Sequence, residues 1–288
     1  MQDLLSPKQV AQALNVSESS VKRWCDKGSI ATIYTEGGHR RIRLSDLAGF
    51  VRSKSIPIFD FGSIGFQSLG QTSRSLELAK KQLAESLMRG DERVSSEIVM
   101  ELYFAKFDIH QICDQVIAQA FHEIGDLWAC GRVEIYQERR SCRIAQRILG
   151  RLHGLLAEPP ASSPLALGCT AEGDNYTIGS TMAELVLREA GWRANALGED
   201  LPLRSLAVAI ADHGPKMVWV SCSHISDVQS FVTSYRTVYD AFHRDVDFVL
   251  GGRALEASVL EQLQYTVYCR SMTELYDFAS KRLATVTA

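Results

Sequence analysis

The chain has no C-x-x-C pair: its seven cysteines are scattered from Cys25 to Cys269. An odd, dispersed set fits neither a disulfide framework nor a zinc site, so the thiols are expected to be reduced and mostly buried. Long apolar runs are also missing. Stretches such as Met217 to Cys222 fall far short of the roughly 20 residues a membrane-spanning helix needs. Met1 to Ser20 has no basic segment followed by an apolar core, which excludes a secretory signal there and makes the cytosol the expected location. Glycine and proline are sparse, 20 and seven among 288 residues, and 46% hydrophobic against 23% charged residues excludes collagen-like, low-complexity and disordered classes. Catalytic signatures are absent too: there is no Walker loop, no G-x-S-x-G elbow, and no second histidine four positions after His122-Glu123. A non-enzymatic protein is expected.

What is present is a globular chain of two or three domains, at roughly 150 residues per domain, with unevenly placed charge. Residues 1–54 hold nine Lys/Arg against five Asp/Glu, net +4, whereas the other 234 residues hold 22 against 29, net −7. A small basic module on an acidic body points to a local polyanion contact, because phosphate affinity depends on nearby charge.

Ser6-Pro7-Lys8-Gln9 reads as a helix start with a capping box, and the helix should run to about Leu14. Asn15-Val16-Ser17 breaks it, and Ser17 caps a second helix with Val21, Trp24 and Cys25 inward and Ser19, Ser20, Lys22 and Arg23 outward. This is a helix-turn-helix whose second helix suits the major groove. Strand-like Ile30 to Tyr34 and Arg41 to Leu44 flank Thr35-Glu36-Gly37-Gly38-His39-Arg40, a hairpin that makes a basic wing. Ser45-Asp46 can cap a third helix that closes near Arg52. From Leu4 to Lys54, and above all at the G-G-H-R-R wing, the chain resembles the winged-helix domain of the MerR family of transcription regulators. That resemblance implies double-stranded promoter DNA as partner, with Ser19, Ser20, Lys22 and Arg23 reading bases or positioning the helix. It also implies His39, Arg40 and Arg41 gripping phosphates or the minor groove. By itself His39 reads equally well as a plain turn residue.

Residues 55–72 read as a Gly/Ser/Phe-rich linker without heptad periodicity, so the long dimerising helix of typical MerR relatives is absent and association must come from downstream. Residues 73–157 carry helical apolar spacing with breaks at Gly90-Asp91, Phe107-Asp108 and Cys130-Gly131, which predicts a four-helix bundle. From residue 164 to 285 strand-like and helical stretches alternate, predicting a doubly wound parallel, flavodoxin-like sheet. The expected fold class is therefore α plus α/β: winged helix-turn-helix, four-helix bundle and parallel sheet domain. Ligands of such sheets sit beyond the carboxyl ends of the strands, where Asp174, Ser221 and Gly251-Gly252 should cluster.

Bundle and sheet together, with E-G-D-x-x-x-I-G over Glu172–Gly179, Ser221 after the third strand and Gly251-Gly252 after the fourth, resemble the cobalamin-binding domains of corrinoid enzymes. Joined to the amino-terminal module, the chain is similar to the CarH/LitR class of light-sensing repressors. The resemblance implies an adenosylcobalamin-assembled, DNA-binding oligomer, with Trp128 and Glu138 against the upper ligand and Asp174, Tyr176, Gly179, Ser221, Gly251 and Gly252 below. It also exposes departures: Tyr176 stands where the family's D-x-H-x-x-G histidine ligates cobalt, Arg139 follows Glu138 in place of His, and Ala129 follows Trp128 in place of His. A phenol is a poor substitute for neutral imidazole, and a lone loop histidine such as His224 more often bonds solvent or backbone. Base-on cobalamin, another tetrapyrrole and no cofactor at all stay open. The expected function is a transcription regulator acting as dimer or tetramer, its carboxyl-terminal half a corrinoid-sensor-like region with altered or lost cobalt ligation. A corrinoid methyl carrier of a methyltransferase and a cofactor-free oligomerisation platform are the alternatives.

Overall fold

The computed structural model describes residues 4–66 and 75–286. Residues 67–72 of the expected linker, and 73–74 at the start of the expected bundle, lie outside the described residues. The chain forms two compact units, Met1–Ala157 and Glu158–Ala288.

In the first unit, β1 (Leu4–Leu5) leads into α1 (Pro7–Leu14) and α2 (Glu18–Asp26). The start of α1 follows from its residues: Ser6 Oγ accepts from Gln9 N at 3.3 Å, Gln9 Oε1 accepts from Ser6 N at 2.9 Å, and Pro7 occupies the first helical position. Asn15 stops the helix at φ 52°, the left-handed region asparagine tolerates, and Ser17 Oγ caps α2 by accepting from Ser20 N at 3.2 Å. Two short strands, β2 (Ile33–Tyr34) and β3 (Arg40–Arg43), form the wing, and β3 lies between β1 and β2 in an antiparallel sheet. α3 (Leu44–Lys54) follows without a break. The Ser45-Asp46 cap is thus corrected: Arg43 is the N-cap and contributes no side-chain bond, because β3 feeds straight into the helix. Leu5, Val10, Leu14, Val21, Ile42, Leu47 and Val51 are fully buried beneath these elements. Each contributes on the order of 1.5–3 kcal/mol of gross burial energy.

The bundle consists of α4 (Leu76–Arg89), α5 (Glu92–Phe104), a composite third helix and α8 (Ile135–Leu155). The third runs through α6 (Ile109–Ile112), a π turn at Cys113–Ile117 and α7 (Ala118–Ala129). Gly90 at φ 78° ends α4, and the Arg140 guanidinium lies against it while donating to Met88 O at 2.6 Å. An arginine of α8 thereby satisfies the exposed carbonyl end of α4.

The described part of the expected linker is packed. Phe59 and Asp60 donate their N–H groups to Ala13 O at 2.7 and 3.2 Å, and Ile64 and Phe66 are buried. Phe61 and Phe66 meet the Phe104 ring edge-on at 5.9 and 6.2 Å. Phe61 and Phe66, within the stretch expected to be a linker, therefore act as apolar anchors on α5, while Phe59 is exposed.

The second unit is a five-stranded parallel sheet in the order β5-β4-β6-β7-β8. Its strands are β4 (Leu165–Thr170), β5 (Arg193–Ala196), β6 (Met217–Ser221), β7 (Asp247–Gly251) and β8 (Val267–Cys269). Its helices are α9 (Ile178–Glu189), α10 (Leu203–His213), α11 (Val228–Phe242), the single turn α12 (Ala257–Leu260) and α13 (Met272–Val286). Leu167, Val218, Val220, Phe248 and Leu250 face α10 and α11, forming a core with Leu206, Ile210, Phe231, Tyr235 and Val238. The alternate residues face α9, which packs beside α13, and the Trp192 indole N–H donates to Ala279 O at 3.0 Å. This order has its switch point between β4 and β6, the place where doubly wound sheets accept ligands. The alternation of strands and helices expected from residue 164 to 285 is present from β4 through α13.

Candidate functional site

Three places carry the residues singled out above. The first is the outer face of the amino-terminal module. Ser19, Lys22, Arg23 and His39 are exposed, with Ser20 and Arg41 half-buried. The hydroxyls of Ser19 and Ser20 each lie 2.9 Å from that of Ser17, so the start of α2 presents a small hydrogen-bonding cluster. Lys22 pairs with Glu18 one turn back at 2.8 Å, an exposed pair of small energetic weight. Arg40 differs from the expectation of a phosphate grip. Its guanidinium donates to Asp26 Oδ1 at 2.6 Å, to Lys22 O at 2.9 Å and to Tyr34 Oη at 3.2 Å. The Tyr34 and Asp26 bonds raise its pKa further. Arg40 therefore ties the wing to the carboxyl end of α2, a role invisible in sequence because Asp26 is fourteen positions away.

The second place is the corner between α7 and α8. Trp128, 51% exposed, lies in the last turn of α7, and Glu138 lies in the first turn of α8. Ile135 and Tyr136 are exposed beside them. Glu138 is held by the Cys142 thiol at 3.2 Å and by Arg139 at 3.6 Å. Burial, followed by the bond to Glu138, pushes the Cys142 thiol up to about 12. Cys130 behaves oppositely: Arg132 Nε donates to its Sγ at 3.2 Å and lowers its pKa.

The third place is the rim above the β4/β6 switch point. Asp174 is fully buried, and its carboxylate joins two loops. Oδ1 accepts from Tyr176 N at 2.9 Å, and Oδ2 accepts from Ser223 N at 2.5 Å and His224 N at 3.2 Å. Backbone donors of this kind are how a buried carboxylate is satisfied. Gly179 sits close to Ser221: a Cβ there would lie 3.1 Å from Ser221 Oγ, a tight contact. Gly252, at φ 109°, admits no side chain: its Cβ would fall 2.3 Å from Cys222 O. Gly251 O accepts from Cys222 N at 2.8 Å, joining the ends of β6 and β7. Arg253 completes the rim with its guanidinium 5.8 Å from the centre of the half-buried Tyr176 ring. The fold thus brings Asp174, Tyr176, Gly179, Ser221, Gly251 and Gly252 to one end of the sheet. Trp128 and Glu138 belong to the other unit. Arg253 escaped the sequence reading, although its place directly after Gly251-Gly252 marked it as a loop cation.

No helix among the described residues is long and apolar enough to cross a membrane. Comparison with known proteins finds a helix-turn-helix domain over residues 4–55 and a B12 binding domain over residues 79–153. The chain is 26% identical over 159 residues to an HTH-type transcriptional repressor, CarH, of Myxococcus xanthus; the match spans 54% of this chain and 52% of that repressor, about half its length. It is 21% identical over 189 residues to a dimethylamine corrinoid protein of Methanosarcina barkeri, covering 65% of this chain and 89% of that one. The solved monomethylamine corrinoid protein of Methanosarcina barkeri shares the fold, with a TM-score of 0.62 at 16% identity over 72% of this chain and 100% of that one. The chain joins a helix-turn-helix domain to a B12 binding domain and a five-stranded parallel sheet, and in that combination it resembles a CarH-like regulator.

Proposed function

We propose that the protein is a DNA-binding transcription regulator whose corrinoid-sensor-like half controls oligomerisation or DNA binding with altered or lost cobalt ligation. One observation carries this reading: the module bearing exposed Arg23, Lys27, His39 and Arg43 is bonded directly to the B12-type bundle. Arg52 of α3 donates to Tyr103 O and Phe107 O at 2.6 and 3.0 Å, at the carboxyl end of α5. A shift in the bundle would move the recognition helix with it. The regulator would bind promoter DNA as dimer or tetramer, reading half-sites spaced by about one duplex turn.

The donor set at the switch point does not fit a cobalt held by protein histidine. We read Tyr176 as standing where corrinoid-binding relatives carry a ligating histidine, and His224, on the neighbouring loop, is exposed and tied by its backbone to Asp174. Green light is therefore expected to leave oligomer size unchanged when adenosylcobalamin is supplied.

A methyl-carrier subunit is the second reading, favoured by the likeness to dimethylamine and monomethylamine corrinoid proteins. The basic module and the missing histidine weigh against it. The test is a gel-shift titration on the DNA upstream of the protein's own coding sequence, run beside a methyl-transfer assay with methylcobalamin. Retarded DNA without transfer supports the regulator. Transfer without DNA affinity would overturn it.

A further inference from the structure

Beneath the switch point, the large indole of Trp219 lies between α9 and the β4/β6 pair. Gly168 of β4 and Trp219 of β6 are register partners on the face toward α9. The indole lies flat across the glycine: a Cβ on Gly168 would fall 1.9 Å from the nearest ring carbon. Trp219 is 3% exposed, and its Nε1–H donates at 2.9 Å to Oγ of Ser180, a buried residue of α9. The only polar atom of the ring is thus satisfied within the unit, so nothing draws the indole out toward a ligand. Along β6 the residues on this face are Ser221 at the rim, then Trp219, then Met217, because side chains alternate along a strand. Any part of a ligand descending from the rim between α9 and the sheet passes Ser221 and then meets the indole.

We propose that Trp219 closes this half of the molecule to the nucleotide tail of a cobalamin, so that a corrinoid is held by its ring alone, with its benzimidazole still on cobalt. The inference rests on the corrinoid-sensor reading and deepens it by specifying the ligand form: a base-on cobalamin or a tail-less corrinoid such as cobinamide. Close packing leaves no room for both an indole and a benzimidazole nucleotide in one slot. With no histidine at position 176, a tail that entered would also leave cobalt without its lower nitrogen.

The test uses the full-length protein with methylcobalamin and cobinamide, following retention on gel filtration and the visible spectrum, with Trp219→Ala and Trp219→Leu in parallel. For the wild type, cobinamide retention or a base-on methylcobalamin spectrum like that of the free cofactor is expected. Opening the slot in Trp219→Ala is expected to shift bound methylcobalamin to the shorter-wavelength base-off spectrum. Trp219→Leu keeps the core filled if the alanine variant fails to fold, and it should shift the same way in part. A base-off spectrum in the wild type would overturn the inference while leaving corrinoid sensing intact. Failure of both ligands to bind wild type and folded variants alike would overturn the corrinoid reading, and this inference with it.

Discussion

The Arg52 guanidinium lies 4.4 Å from the centre of the Tyr103 ring while donating a hydrogen bond of 2.6 Å to the carbonyl of the same residue. It also reaches Asp108 Oδ1, the N-cap of the composite third helix, at 3.3 Å. One arginine on the last helix of the DNA-binding module therefore meets both the end of one bundle helix and the start of the next. Lys106 Nζ adds a bond to Ser55 Oγ at 2.7 Å.

Arg52→Met keeps the apolar stem and removes these bonds. It is expected to destabilise the amino-terminal unit by about 2 kcal/mol, the range for charge-assisted bonds to partly buried acceptors. Urea unfolding followed by far-ultraviolet circular dichroism checks this. An unchanged midpoint would mean that the module and the bundle fold independently.

Asp174→Ala should loosen the rim, because three part-buried backbone N–H groups lose the fully buried carboxylate that accepts from them. The cost is expected to be about 3 kcal/mol, since each unsatisfied buried group costs roughly 1–3 kcal/mol. Hydrogen exchange should quicken at residues 174–177 and 222–226 before it does in β4 or β6.

The cysteines should differ sharply in reactivity. Cys130 is exposed and its thiolate is favoured by Arg132, whereas burial pushes Cys169 and Cys269 up to about 12 and Cys222 well above its ordinary value. Brief alkylation near neutral pH, mapped by peptide mass analysis, is expected to label Cys130 ahead of those three. Arg132→Ala should slow it.

Glu92 joins α5 to α8 through Arg147 at 2.7 Å and Arg151 at 3.5 Å, and the bond from Arg147 holds its carboxyl below the ordinary 4.5. A depressed carboxylate adds stability above its unfolded pKa, and that stability is lost as pH falls through the lowered folded value. Glu92→Gln should thus cost up to about 1 kcal/mol at neutral pH, given partial solvent screening. Paired urea titrations across acid pH should show the two proteins converging.

Much of the architecture was readable because it rests on local signals. The Ser6/Gln9 box, the Ser17 cap and the β6 run Met217–Ser221 each declare themselves within a few residues. Contacts over long separations did not. Leu4–Leu5 gives no strand signal until Ile42 and Arg43 are brought beside it, and the π turn at Cys113–Ile117 interrupts an otherwise regular apolar stripe. At the candidate site, Asp174 and the glycines were findable as loop residues between strand and helix. The Arg40–Asp26 tie and the Trp219–Gly168 contact required three-dimensional register, since alternation alone marks Trp219 only as buried.

The most direct measurement is the affinity of the purified protein for a fluorescent duplex of its own upstream DNA as salt is raised. Each phosphate contact contributes a slope of about −0.9 in log affinity against log salt. A steep negative slope is expected, made shallower by Arg23→Ala and little changed by Arg40→Ala, whose charge Asp26 already matches. Absence of salt-dependent binding to that duplex and to every other double-stranded fragment tried would contradict a DNA-binding role.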